Sequence, residues 1–136
     1  MRRAISLLIA ALACAPGNPD SAADAPAVAA AYGERFDLGL GERADVEGFR
    51  VAFTRVAEDS RCPEDARCVQ AGNAAAVFSV GSEEGSATLT LHTDREPRRA
   101  AVMGRALRMI ELRPRAVEGA PNASAYVATL IVETAP

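Results

Sequence analysis

The chain has 136 residues, a formal net charge of −3, 49% hydrophobic and 4% aromatic residues, and no Trp, which is room for one domain with a single modest core. An acidic balance without aromatic residues interleaved among the basic ones argues against nucleic-acid binding, and no apolar run reaches the ~18 residues of a membrane-spanning helix. All 15 basic residues are Arg, which together with the abundant Ala reads as the coding bias of a GC-rich genome rather than a functional choice.

The N-terminus reads as an address. Met1-Arg2-Arg3 is a basic n-region, and residues 4–13 form an apolar h-region of signal-peptide length. Small Ala11 and Ala13 stand just before Cys14, and a Cys at the first mature position points to lipid attachment, although Ala11-Leu12-Ala13 reverses the usual order of a bacterial lipobox. The expectation is a signal peptide over 1–13 and a membrane anchor at Cys14. The protein would be a cell-envelope lipoprotein facing periplasm or exterior; the alternative is a soluble secreted protein cut near Ala23 or Ala25. Residues 15–32 are small, Pro-rich and Asp-rich, with Val28 the one large aliphatic. Such a segment cannot bury enough apolar surface to offset its ordering, so 14–32 reads as a flexible tether ahead of a single β domain over 33–136.

In that domain the hydrophobic period is two far more than 3.6. Phe36, Leu38 and Leu40 alternate with polar or small residues, as do Phe49, Val51 and Phe53. Val56 breaks the phase set by Phe53, which predicts a bulge or a strand end. Residues 74–80 are apolar on both faces, as in a central strand. Leu89 and Leu91 share one side of 88–92. Residues 105–113 carry Leu107, Met109, Ile110 and Leu112, and 126–133 form another two-faced strand. Breaks fall at Gly41-Glu42, Glu47-Gly48, 81–85, Glu96-Pro97 and 114–122. Residues 64–76 contain Gly72 and read as loop passing into strand, while 98–103 offer a turn of helix. The fold class is therefore all-β: a small antiparallel β-sandwich, or alternatively a small β-barrel, of six or seven strands.

Cys62 and Cys68 bracket five residues. With Cys14 consumed by lipid, these two are free to form one short-loop disulfide in an oxidising compartment, stabilising the domain by about 2 kcal/mol in the chain-entropy model. The run Asp59-Ser60-Arg61-Cys62-Pro63, the second Cys six positions on, and Ala71-Gly72 resemble a set of small, uncharacterised bacterial envelope proteins of lipoprotein type. In those relatives a Trp commonly precedes the Ala-Gly pair, where this chain has Gln70. The resemblance implies a secreted β domain and supplies no reaction or ligand.

The same loop admits other readings. Two Cys and His92 are too few ligands for structural zinc, and five intervening residues do not make a thioredoxin-like pair. Glu58, Asp59, Glu64 and Asp65 lack the spacing of a calcium loop and have Arg61 and Arg67 among them. A braced loop with exposed Asp59, Ser60, Arg61, Glu64, Asp65 and Arg67 is a candidate binding loop. Arg61 or Arg67 could enter a trypsin-like pocket, giving a secreted inhibitor-like alternative.

For catalysis, His92-Thr93-Asp94 holds the only His, no nucleophile motif accompanies it, and no catalytic residue is assigned; a hydrolase with an unrecognised site is the remaining alternative. Glu83-Glu84 beside Gly81 and Gly85 reads as a hairpin turn rather than a glycosidase pair. His92, Met103 and Met109 as a copper(I) set compete with Met109 as core, and Asn122-Ala123-Ser124 fits a sequon but reads as a turn in a bacterial protein. No cofactor and no metal are expected. Arg95, Arg98, Arg99, Arg105 and Arg108, with Arg113 and Arg115 beyond, make a basic segment facing an acidic first half. It could meet an acidic envelope glycolipid or protein partner, or be neutralised by acidic strands alongside. The functional expectation is a non-catalytic envelope lipoprotein acting as a binding or structural accessory domain.

Overall fold

A computed structural model describes residues 26–115, 117 and 125–136. The leader, Cys14, most of the tether and the Asn122-Ala123-Ser124 triplet lie outside the described residues. Among the described residues there is no helix, and nine strands form two sheets. In chain order they are β1 (Val28–Ala29), β2 (Arg35–Gly39), β3 (Arg43–Val46), β4 (Phe49–Asp59), β5 (Ala74–Ser82), β6 (Gly85–His92), β7 (Arg99–Val102), β8 (Arg105–Arg113) and β9 (Val127–Thr134). One sheet runs β1-β3-β4-β5-β6 and the other β2-β9-β8-β7. Every pair is antiparallel except β1 with β3. Among the described residues neither sheet closes on itself, so no closed barrel forms.

The alternation read from the sequence sets which side chains turn inward. Phe36 and Leu38 of β2, Phe49, Val51 and Phe53 of β4, and Leu107 and Met109 of β8 are buried with Leu130 and Val132 of β9 in one apolar cluster drawn from both sheets. Phe53 and Phe78 are register partners and their rings stack at 5.0 Å. β5 is buried on both faces from Ala74 to Phe78, as expected of a central strand. The Val56 phase break is a bulge, not an end: β4 continues to Asp59 with register shifts at Phe53/Arg55 and Val56/Glu58.

Nine strands exceed the six or seven read from periodicity. β3 has only Ala44 and Val46 as inward residues, too short a pattern to register as a strand. Residues 98–103, read as offering a turn of helix, instead supply β7 over Arg99–Val102. Met103 and Gly104 both have positive φ, 49° and 69°, the backbone of a two-residue hairpin turn, and it folds Arg99–Val102 back onto β8. Hairpin pairing here overrides the helix preference of Ala. Residues 26–32, read as part of the tether, are among the described residues. Val28, Ala30 and Tyr32 pack against the core, and Tyr32 hydrogen-bonds through its hydroxyl to that of Thr134 while the Arg105 guanidinium stacks on its ring at 4.6 Å. Val28 and Ala29 pair with Ala44 and Asp45 of β3.

Candidate functional site

The chemistry-bearing residues gather where β4, β6 and β8 end near the cysteine loop. Cys62 and Cys68 are joined, with Cα atoms 5.9 Å apart. The two ends of the loop are pinned by Ser60 and Asn73. Ser60 N donates to Asn73 O at 2.8 Å, and Asn73 N donates to Ser60 Oγ at 3.1 Å. Gly72 lies so close that a Cβ there would sit 1.5 Å from the Ser60 carbonyl oxygen. The Ala-Gly step after the second Cys is thus a requirement of backbone approach.

Arg61 turns inward and is only 7% exposed. Its Nε and Nη2 donate to the two carboxylate oxygens of Asp59, each at 2.8 Å, a bidentate pair. Its Nη1 and Nη2 also donate to the carbonyls of Leu112 at 2.5 Å and Pro114 at 2.8 Å. The pairing of β7 with β8 stops at Arg108, with Met109 N donating to Arg98 O just beyond. Past that point the guanidinium takes carbonyls of the β8 end as a neighbouring strand would. Tyr126, just before β9, donates its hydroxyl to Asp59 Oδ2 at 2.8 Å. Asp59 belongs to one sheet and Leu112 to the other, so this buried cluster fastens the sheets together. Burial pushes the Asp59 carboxyl up, but the hydrogen bonds from Arg61 and Tyr126 outweigh it and hold it below its ordinary value. The Asp59 carboxylate raises the Arg61 guanidinium against the opposing effect of burial. Tyr126 is pushed up to about 12, by burial first and then by Asp59.

Of the residues expected to form an exposed binding loop, Asp59, Ser60 and Arg61 are therefore spent on internal bonds. The Asp59 carboxylate and the carbonyls at the end of β8 draw Arg61 in, which corrects the expectation of an exposed Arg at that position. Glu64, Asp65 and Arg67 are exposed, as is Val69 at 102%.

His92 is not set up as expected either. Its Nδ1 meets Asn73 Nδ2 at 3.0 Å and receives Arg95 Nε at 3.2 Å. A guanidinium can only donate, so Nδ1 is the acceptor in the contact with Arg95. Asp94 takes the Thr93 hydroxyl at 2.5 Å, so these contacts do not make Asp94 the acid partner of His92. Met109 is core at 2% exposure, while Met103 accepts from Ser82 Oγ in the turn at the far end of β7, which separates the three members of the copper reading. Among the described residues no three His, Cys, Asp or Glu come together as metal ligands.

The basic segment is largely neutralised by neighbouring acids. Arg99 and Arg108 flank Glu133 at 3.5 and 3.7 Å, Arg95 meets Glu58 at 3.3 Å, and Arg105 approaches Glu47 at 3.9 Å. Arg113 pairs with Asp37 at 2.6 Å; the Thr129 hydroxyl and then Arg113 hold that carboxyl below its ordinary value. Arg98 alone of the five expected patch residues has no such partner among the described residues, and it lines a cleft of about 600 Å³. The cleft is walled by Arg61 and Glu64 of the cysteine loop, by Thr93, Asp94 and Arg98 between β6 and β7, and by 109–115. Neither the guanidinium of Arg98 or Arg115 nor the carboxylate of Glu64 is engaged by another described residue. Sequence reading missed Asn73 and Tyr126 as members of the site, since each acts through partners far away in the chain. A smaller cleft of about 430 Å³ lies between the hairpin turns at Glu47-Gly48, Glu83-Glu84 and Met103-Gly104. Glu83-Glu84 is a turn, as expected.

Comparison with protein-family models, curated proteins and solved structures finds no match to this chain.

Proposed function

We propose that this chain is an exported, non-catalytic domain of the bacterial cell envelope, held to a membrane by lipid at Cys14, which acts by binding through the cleft beside Arg98. In this reading the two sheets form a sandwich whose cysteine-loop end is a rigid frame and whose cleft is the working surface. The observation that carries it is the contrast in commitment at one place. Asp59, Ser60 and Arg61 are consumed in fastening the frame, while Arg98, Arg115 and Glu64 face the cleft unengaged by described residues. The frame fixes only the backbone that carries these side chains; the guanidinium groups themselves have no partner among the described residues to give up on binding a ligand. The Cys62–Cys68 bond supports an oxidising compartment, and the single apolar cluster supports the sandwich.

The test has two parts on the full chain made in a bacterial host. Intact mass of the membrane fraction should show a lipid-sized gain on a chain beginning at Cys14; an unmodified soluble species overturns the anchor. Labelled protein should be retained saturably on isolated cell envelopes, and Arg98→Ala with Arg115→Ala should lower retention at least fivefold. Equal retention by this variant overturns binding through the cleft.

A second reading is favoured by the exposure of Arg67 and Val69 on the cross-linked loop: presentation of that loop to a trypsin-like protease. Burial removes Arg61 from this role, so the loop would act through Arg67. Competitive inhibition of trypsin lost in Arg67→Ala supports this reading, and rapid cleavage after Arg67 counts against it.

A further inference from the structure

The charges on the cleft lining select a class of ligand, an inference that rests on the binding reading above. Arg61 is committed to Asp59, Leu112 and Pro114, and Arg113 to Asp37, Thr129 and Glu111. Glu111 also lines the cleft and is set aside with its partner Arg113, at 3.7 Å, which leaves Arg98 and Arg115 on the positive side and Glu64 and Asp94 on the negative, with one Asp94 oxygen taken by the Thr93 hydroxyl. A simple anion entering the cleft meets two carboxylates, and a simple cation meets two guanidinium groups. A molecule carrying both signs can satisfy all four. Arg forks suit a carboxylate or phosphate, and carboxylates suit an ammonium group. The cleft, about 600 Å³, is of the size that takes small molecules.

We propose that this cleft binds a small zwitterion bearing a carboxylate or phosphate together with a primary ammonium group. Arg98 and Arg115 hold the anion, and Glu64 and Asp94 hold the ammonium. The same chemistry occurs in free amino acids and short peptides and in phosphoethanolamine head groups.

The experiment is titration of the full-chain protein at low salt with glycylglycine and with phosphoethanolamine, using acetate and ethylamine as singly charged controls. One saturable site is expected, with at least tenfold tighter binding of a zwitterion than of either control. Arg98→Ala and Arg115→Ala should each weaken zwitterion binding at least fivefold without moving the melting temperature, since both side chains are exposed. Glu64→Gln should narrow the preference for the zwitterion over acetate. Tighter glycylglycine assigns the site to amino acids or peptides, and tighter phosphoethanolamine to a head group. Absence of saturation up to about 10 mM, where even a ligand of millimolar Kd would register, overturns the proposal. So does affinity equal to that of acetate, or indifference to both Arg variants. If cell envelopes retain the protein through the cleft while neither zwitterion binds or competes, this proposal falls and the binding reading stands. If a zwitterion binds but the envelope does not retain the protein, binding through the cleft stands and attachment to the envelope through it falls.

Discussion

Replacing Arg61 with Ala removes four donated hydrogen bonds at once: two to Asp59 and one each to the carbonyls of Leu112 and Pro114. The side chains of Arg61 and Asp59 are 4% and 13% exposed, so water has little room to replace the lost partners. Removing one member of such a pair costs about 3–5 kcal/mol, mostly because the other charge is left behind. Each abandoned carbonyl costs about 1–3 kcal/mol where solvent does not reach it. These figures overlap rather than add, and Asp59 retains the Tyr126 hydroxyl, which places the expected loss at the low end, about 3 kcal/mol. For a domain of this size that corresponds to roughly 10–20 °C in melting temperature. Urea unfolding followed by far-ultraviolet circular dichroism reads it directly. The double variant Asp59→Leu, Arg61→Met removes both charges and should recover part of the loss, but the two carbonyls stay bare and keep it below wild type. A loss under about 1 kcal/mol for Arg61→Ala, the scale of an exposed ion pair, would refute the fastening role.

Four further outcomes follow from the same region. Because the Tyr126 hydroxyl is raised from 10.0 to about 12 on folding, its contribution is full below pH 10 and is lost as pH rises toward 12; Tyr126→Phe should flatten that part of the stability profile, and an unchanged profile counts against the Asp59 contact. Asp59 is shifted the other way, so its contribution is present above the ordinary carboxylate range and lost as pH falls through the lowered value, a loss that Asp59→Asn should abolish in acid titration. Gly72→Ala would set a Cβ 1.5 Å from Ser60 O, so a loss at or above the upper end of the ~1–3 kcal/mol typical of overpacking is expected, and wild-type stability would show that the approach of 72 to 60 is not required. Reduction of Cys62–Cys68 should lower stability by about 2 kcal/mol, and no shift on adding reductant would show that the short loop constrains the unfolded chain too little to matter.

The longer strands were legible because their cause is local. Phe49-Arg50-Val51-Ala52-Phe53 puts its large apolar residues on one side whatever it packs against, and 74–80 is apolar enough to need burial on both faces. β7 was illegible for the same reason: Ala100 and Ala101 carry no decisive pattern, and only the turn at Met103-Gly104 and the partner β8 make them a strand. Val28 and Tyr32 sat among residues that could not have been buried alone. At the candidate site, the loop closed by Cys62 and Cys68 followed from the short spacing and the odd cysteine count. The direction of the Arg61 side chain did not, because a surface loop with five charged residues reads equally well as solvated.

The amino-acid sequence by itself determined an all-β domain, a cross-linked loop and the turns on which the hairpins reverse, since alternation, cysteine spacing and Gly-bearing turns act over a few residues. Tertiary structure alone decided what the Asp59-Ser60-Arg61 run is for. Leu112, Pro114 and Tyr126 reach Arg61 and Asp59 only when the two sheets are in place. Tertiary structure also decided which of the many Arg residues are left unengaged. An ion pair such as Arg99 with Glu133 or Arg113 with Asp37 joins strands far apart in the chain, and Arg98 and Arg115 stand out only after those pairings are made. Their electrostatic role depends on distances that no local pattern encodes.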